Sequence, residues 1–142
     1  MAHRAVSPRS WVAPKGYANG IVAEGRLLFV AGQIGWDPTK AKPTFPKSFA
    51  EQFEQALHNM VDVVRAAGGQ PSDLARVTVY VVDKKDYLRS LKAVGAAWKM
   101  HVGRYWPAMT LVEVSALLEP KAKVEIEGTA VLSKRRAPSR RG

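Results

Sequence analysis

An α+β domain with two helices laid on one face of a sheet is the fold class this chain predicts. Three observations predict it. Apolar residues recur at helical spacing in two windows and alternate in others, in the order strands, helix, strand, helix, strands. The length, 142 residues, suits one domain with one hydrophobic core. Two helices cover only one face of such a sheet, so its second face must meet water or another subunit.

Residues 1–15 contain Pro8 and Pro14 without any apolar period, and predict an irregular opening segment. Residues 26–34 (RLLFVAGQI) predict a strand ending near Gly32, with Ile21, Val22 and Ala23 as a short hairpin partner. Three prolines in residues 37–46 predict a loop. A helix over residues 47–67 follows from the stripe Phe49, Phe53, Leu57, Met60 and Val64. Ser48 with Glu51 makes a capping-box pattern, and Gly68-Gly69 provides the stop.

Residues 74–83 (LARVTVYVVD) alternate as a strand, with Val77, Val79 and Val81 on one face and Thr78, Tyr80 and Val82 on the other. A second helix over residues 84–102 sets Tyr87, Leu91, Val94, Trp98 and Val102 along one side. Strands over residues 108–115 and 123–132 complete the domain. In the last, Val124, Ile126 and Ala130 alternate with Glu125, Glu127 and Thr129; in the one before, Ala108, Thr110 and Val112 alternate with Met109, Leu111 and Glu113. A face combining Met109, Leu111 and Tyr80 with carboxylates is too apolar for simple solvation and too acidic for a core. It fits a subunit interface with embedded polar sites, and predicts a homo-oligomer.

The formal net charge of +10 is concentrated at the ends of the chain. Arg4, Arg9, Lys134, Arg135, Arg136, Arg140 and Arg141 stand in stretches without acids, and residues 11–133 carry only +3. Residues 134–142 therefore predict a solvated, disordered basic tail with weak, salt-sensitive polyanion binding at most. There is no cysteine, which excludes disulfides and thiol nucleophiles. His3, His58 and His101 share no metal-ligand spacing, and Gly32-x-x-Gly35 lacks a phosphate-loop or dinucleotide pattern. No metal or organic cofactor is called for. Without an apolar run long enough to span a bilayer or a secretory h-region, a cytoplasmic protein is expected.

Seven segments stand in order: Gly16-Tyr17-Ala18-Asn19, residues 28–34 (LFVAGQI), Gln52-x-x-Gln55-Ala56-Leu57-x-Asn59, residues 66–69 (AAGG), Val77-Thr78-Val79-Tyr80-Val81-x-Asp83, Pro107-Ala108 and residues 124–127 (VEIE). Together they resemble the YjgF/RidA family, also labelled endoribonuclease L-PSP or reactive intermediate deaminase. The resemblance implies a chorismate mutase-like α+β fold with a mixed sheet, assembled as a homotrimer with ligand sites in clefts between subunits. It implies cofactor-free hydrolysis of enamines and imines, such as 2-aminoacrylate, to 2-oxo acids and ammonia.

Carried over by position, Tyr17 matches the site tyrosine, and Gly32 with Gln33 and Ile34 matches the strand end whose backbone approaches the ligand. Glu125 matches the acid that holds or activates water. One departure is chemical. Deaminase members carry Pro-Ala-Arg-Ser, whose arginine grips the substrate carboxylate; here Met109 and Thr110 follow Pro107-Ala108, and Leu111 replaces a common cysteine. Removing one partner of a buried charge pair costs roughly 2–5 kcal/mol, so Met109 and Leu111 predict a neutral or more apolar ligand than 2-aminoacrylate. Arg104 is the nearby cation that could substitute. Lys85 stands where an asparagine is common. Three readings follow: a hydrolase of other small imines or enamines, a non-catalytic trimer binding a metabolite or partner, and an RNA-binding or RNA-cleaving protein.

Overall fold

The structure, a computed structural model, describes residues 3–133. Its strands are β1 (Arg4–Val6), β2 (Gly20–Val22), β3 (Arg26–Ile34), β4 (Leu74–Val81), β5 (Ala108–Glu113) and β6 (Val124–Leu132). Its helices are α1 (Phe49–Ala66), α2 (Lys84–Arg89) and α3 (Leu91–His101), with one 3₁₀ turn at Pro71–Asp73. The main sheet has the order β3-β6-β4-β5 and is mixed: β4 and β5 run parallel, and the other pairs are antiparallel. The parallel pair is what the α2–α3 crossover permits. No helix among the described residues is long and apolar enough to cross a membrane.

α1 forms as its pattern requires. The Ser48 hydroxyl accepts from the Glu51 amide at 3.2 Å and donates to Glu51 Oε1 at 2.9 Å. The whole predicted stripe from Phe49 to Val64 is buried, against Val77, Val79, Val81, Val124 and Ile126 of the sheet. Gly68 then takes φ +85°, a conformation that favours glycine, and the Gly69 amide closes the end on the Val64 carbonyl at 2.9 Å.

Four expectations need correction. The opening segment is not wholly irregular, because Arg4–Val6 pairs antiparallel with Gly20–Val22. That pairing also removes the expected hairpin partner from β3, whose neighbour is β6. The second helix is two helices: Ser90, at φ −110° and ψ 14°, breaks the run, and its amide turns back to the Tyr87 carbonyl.

The fourth correction concerns β5. Its parallel register sets Met109 beside Val77 and Leu111 beside Val79, on the face covered by the helices. Thr110 and Val112 accompany Thr78 and Tyr80 on the outer face. Met109 and Leu111 therefore do not share a face with Tyr80 and the carboxylates. The basic tail expected at residues 134–142 lies outside the described residues.

Candidate functional site

The predicted site residues fall into two groups. One surrounds a cavity of about 330 Å³ beside the β5 edge, between the sheet and the α2–α3 wall, and brings Tyr17, Met109 and Leu111 together. Tyr17 arrives there because Gly16 turns the chain at φ +75° and the Ala18 amide donates to the Pro107 carbonyl at 2.9 Å. Ala18 thus bridges Ala108 as a strand stub, and Tyr17 stands at the mouth of the cavity.

Aromatic rings build the far wall. Trp98 and Trp106 stack with centroids 5.3 Å apart and planes inclined by 7°. The Trp98 indole donates to the Tyr105 carbonyl at 3.0 Å, and the Tyr105 hydroxyl donates to the Leu74 carbonyl at 2.5 Å. Burial, followed by the nearby Asp73 charge, pushes the Tyr105 phenol up to about 12. The loop between α3 and β5 is therefore pinned to the core by its own ring.

The second group lies on the outer face. Glu125 is in register with Tyr80 on one side and Ile34 on the other, so the three share that face, opposite the buried Ile126. The Glu125 side chain lies over Gly32: a Cβ built there would stand 2.1 Å from Glu125 Oε1. Between Val30 and Gln33 the β3–β6 register slips, with Ala31 and Gly32 opposing the single residue Glu127. This bulge at a strand end re-aims the backbone towards the carboxylate. The Gln33 amide turns back to the Ala31 carbonyl at 3.1 Å. Beside Glu125, the Tyr80 hydroxyl donates to Glu127, which raises the Tyr80 phenol above its ordinary value.

Sequence reasoning missed the residues that tie down the chain leaving β3 and the chain entering β6. Gln52 is buried and donates to the carbonyls of Pro46 (2.9 Å) and Lys121 (3.1 Å), while its oxygen accepts from the Lys123 amide (2.8 Å). Asn59 donates to the carbonyls of Ile34 (3.2 Å) and Trp36 (2.9 Å) and accepts from Gln55 (2.8 Å). Gly35 has no room for a side chain against Gln52. The signal was present: two amides interrupt the apolar side of α1, and a buried amide must find several partners. Tyr87, Leu91, Val94 and Trp98, which periodicity sets along one helical face, line the cavity.

Gly32, Gln33, Ile34 and Glu125 are not among the residues lining the cavity beside β5. β3 and β5 are the two edges of the sheet, three strand spacings or about 14 Å apart. The candidate residues of one chain thus fall in two clusters, on opposite faces of the sheet. Arg104 lines an adjoining cavity of about 370 Å³ with His3 and Tyr105, which shares Tyr17 and Trp106 with the first. His58 and His101, unrelated in spacing, meet with ring centroids 5.4 Å apart, but no group of three or more potential metal ligands forms among the described residues.

Known proteins resemble this chain in sequence and fold. The family model described as endoribonuclease L-PSP matches residues 9–132. A goat (Capra hircus) protein named 2-iminobutanoate/2-iminopropanoate deaminase is 30% identical over 92% of this chain and 91% of its own length. The Escherichia coli K12 protein of the same name is 34% identical over 75% of this chain and 80% of its own. Among solved structures, a Yersinia pestis protein of the Rid family, YyfB, has a TM-score of 0.80 at 29% identity, over 93% of this chain and all of that one. Escherichia coli TdcF with bound serine has a TM-score of 0.67 at 28% identity, over 92% of this chain and 99% of that one. With the seven motifs, the mixed sheet and its helices in agreement, the chain belongs to the endoribonuclease L-PSP family, the YjgF/RidA grouping that its motifs resemble.

Proposed function

We propose that the chain is a cytoplasmic, cofactor-free hydrolase of small imines or enamines, acting as a homotrimer at clefts between subunits. The observation that carries this reading is the separation of the two clusters. A β6 carboxylate held over the glycine bulge of β3, and an apolar cavity beside a tyrosine at the β5 edge, lie on opposite faces of one sheet, and form one cleft only when two copies meet. Relatives named as imine deaminases at 30% and 34% identity support the reaction class.

The chemistry needs only positioning and proton transfer. An enamine takes a proton on carbon to become an iminium. Water adds to the iminium carbon, passing a proton to the Glu125 carboxylate. Glu125 passes that proton to nitrogen and takes the carbinolamine hydroxyl proton as the C–N bond breaks, so that ammonia and a neutral carbonyl product leave and the proton taken up on carbon is returned. Tyr17 offers a hydroxyl to the ligand, and the Gly32–Ile34 backbone lines its approach. Met109 supplies neither charge nor donor, which favours a substrate more apolar than 2-aminoacrylate.

The test generates imines in situ with an amino-acid oxidase and compares wild type with Glu125→Ala, alongside light scattering for the trimer. Acceleration lowered about 10²- to 10⁴-fold in the variant supports the hydrolase. A spontaneous rate for every imine would reject it and favour the second reading, a non-catalytic ligand-binding trimer, which the uncharged Met109 allows. The RNA reading predicts an affinity that disappears when the residues after Leu132 are removed.

A further inference from the structure

We infer that the cavity beside β5 receives a ligand joining an aromatic group to a carboxylate, with the ring against the tryptophan wall and the carboxylate at Lys15. This deepens the reading above by naming the substrate class: imines of arylalanine type. Three observations carry it, none of which depends on a relative.

The first is the lining. Phe53 and Val79, both buried, form the floor; Tyr87 and the stacked Trp98–Trp106 pair stand around it; and among the described residues Lys15 is the only charged one lining the cavity. No carboxylate among the described residues pairs with Lys15. An apolar, aromatic box with one cation at its edge matches a molecule that is apolar at one end and anionic at the other.

The second is size. About 330 Å³ is the liquid-volume share of roughly ten waters. A three-carbon imino acid would leave much of that space filled by water against aromatic walls. A phenyl or indolyl side chain would displace it. Leu91 (51% exposed) and Trp106 (39% exposed) on the same lining are apolar surface that such a ring would cover.

The third is Gly95. It lies inside α3, where glycine costs about 1 kcal/mol relative to alanine, and its backbone is not left-handed. A Cβ there would meet nothing within 4 Å. Neither backbone strain nor a crowded neighbour therefore requires glycine, and what its bare backbone provides is volume in the cavity wall.

The test is calorimetric titration of the full chain with phenylpyruvate and with pyruvate, in wild type, Gly95→Leu and Lys15→Gln. Phenylpyruvate is expected to bind at least tenfold more tightly than pyruvate. Gly95→Leu should weaken phenylpyruvate at least tenfold and leave pyruvate unchanged, while Lys15→Gln should weaken both several-fold. Gly95→Ala, which removes less volume, should fall between wild type and Gly95→Leu. Equal affinities, no detectable binding of phenylpyruvate, or indifference to Gly95→Leu would each overturn the inference. So would a change of oligomeric state in Gly95→Leu by light scattering, since a second copy would then be the occupant. Imine turnover separates this failure from that of the hydrolase reading. Phenylpyruvate binding that Gly95→Leu blocks, without any turnover, retains the cavity and rejects the hydrolase. Turnover confined to small imines and indifferent to Gly95→Leu does the reverse.

Discussion

The two edges of the sheet are built on opposite principles. At the β3 edge, a glycine bulge carries a carboxylate, and buried amides tie down the adjoining chain: Asn59 donates to the Ile34 and Trp36 carbonyls, while Gln52 bonds Pro46, Lys121 and Lys123, just ahead of α1 and β6. At the β5 edge, stacked rings surround open space, with apolar side chains partly exposed and a helical glycine that no neighbour requires. Directional bonds define the position of a reacting group to within a few tenths of an ångström, because a misplaced buried amide loses its partners outright. Dispersion and apolar burial are non-directional and suit a surface that accepts a shape. Under the proposed hydrolase reading, the first edge serves chemistry and the second selection.

The largest effect should come from unlocking the first edge. Gln52→Leu leaves two carbonyls and an amide without their partner. It should cost about 3 kcal/mol, lowering the thermal midpoint by roughly 10 °C in calorimetry. A loss under about 1 kcal/mol would mean that the turn is held by something else.

Gly32→Ala comes next and separates position from stability. The new methyl would occupy the space of the Glu125 carboxyl, the mobile end of a side chain. Folding should be little affected, whereas turnover falls about 10²-fold, the usual cost of a 1 Å misplacement. Unchanged turnover would show that the carboxylate over Gly32 is not where the reaction needs it.

Met109→Arg probes the second edge. A guanidinium in the apolar cavity should shift relative kcat/KM towards small imino acids by at least tenfold, about 1.4 kcal/mol. An unaltered preference would remove Met109 from the selecting surface.

The smallest effect belongs to Tyr105→Phe, which loses the hydrogen bond to Leu74 and should cost about 1 kcal/mol in denaturant titration. Its pH dependence has a definite sign. The folded-state phenol, raised from 10.0 to about 12, holds its proton more tightly than in the unfolded chain. Its contribution is therefore complete below pH 10 and lost as pH rises through about 12. The wild-type alkaline decline over that window should flatten in the variant.

What the sequence determined alone was whatever depends on near neighbours. The α1 stripe, its Ser48 cap and its stop at Gly68, the alternation in β4 and β6, and the seven motifs are all short-range and need no knowledge of the fold. Tertiary structure decided the rest. A period of two states that Met109 and Leu111 alternate with Thr110 and Val112, but not which pair faces the helices; the parallel register with β4 settles that. Partner choice likewise placed β2 against β1 instead of β3. The Ser90 break and the gap beside Gly95 turned a helical stripe into a cavity wall, and the strand order separated Glu125 from Tyr17. Local propensity is set by a residue and its few neighbours along the chain. Face, partner and cavity are set by which distant segments pack together, and that information is distributed over the whole chain.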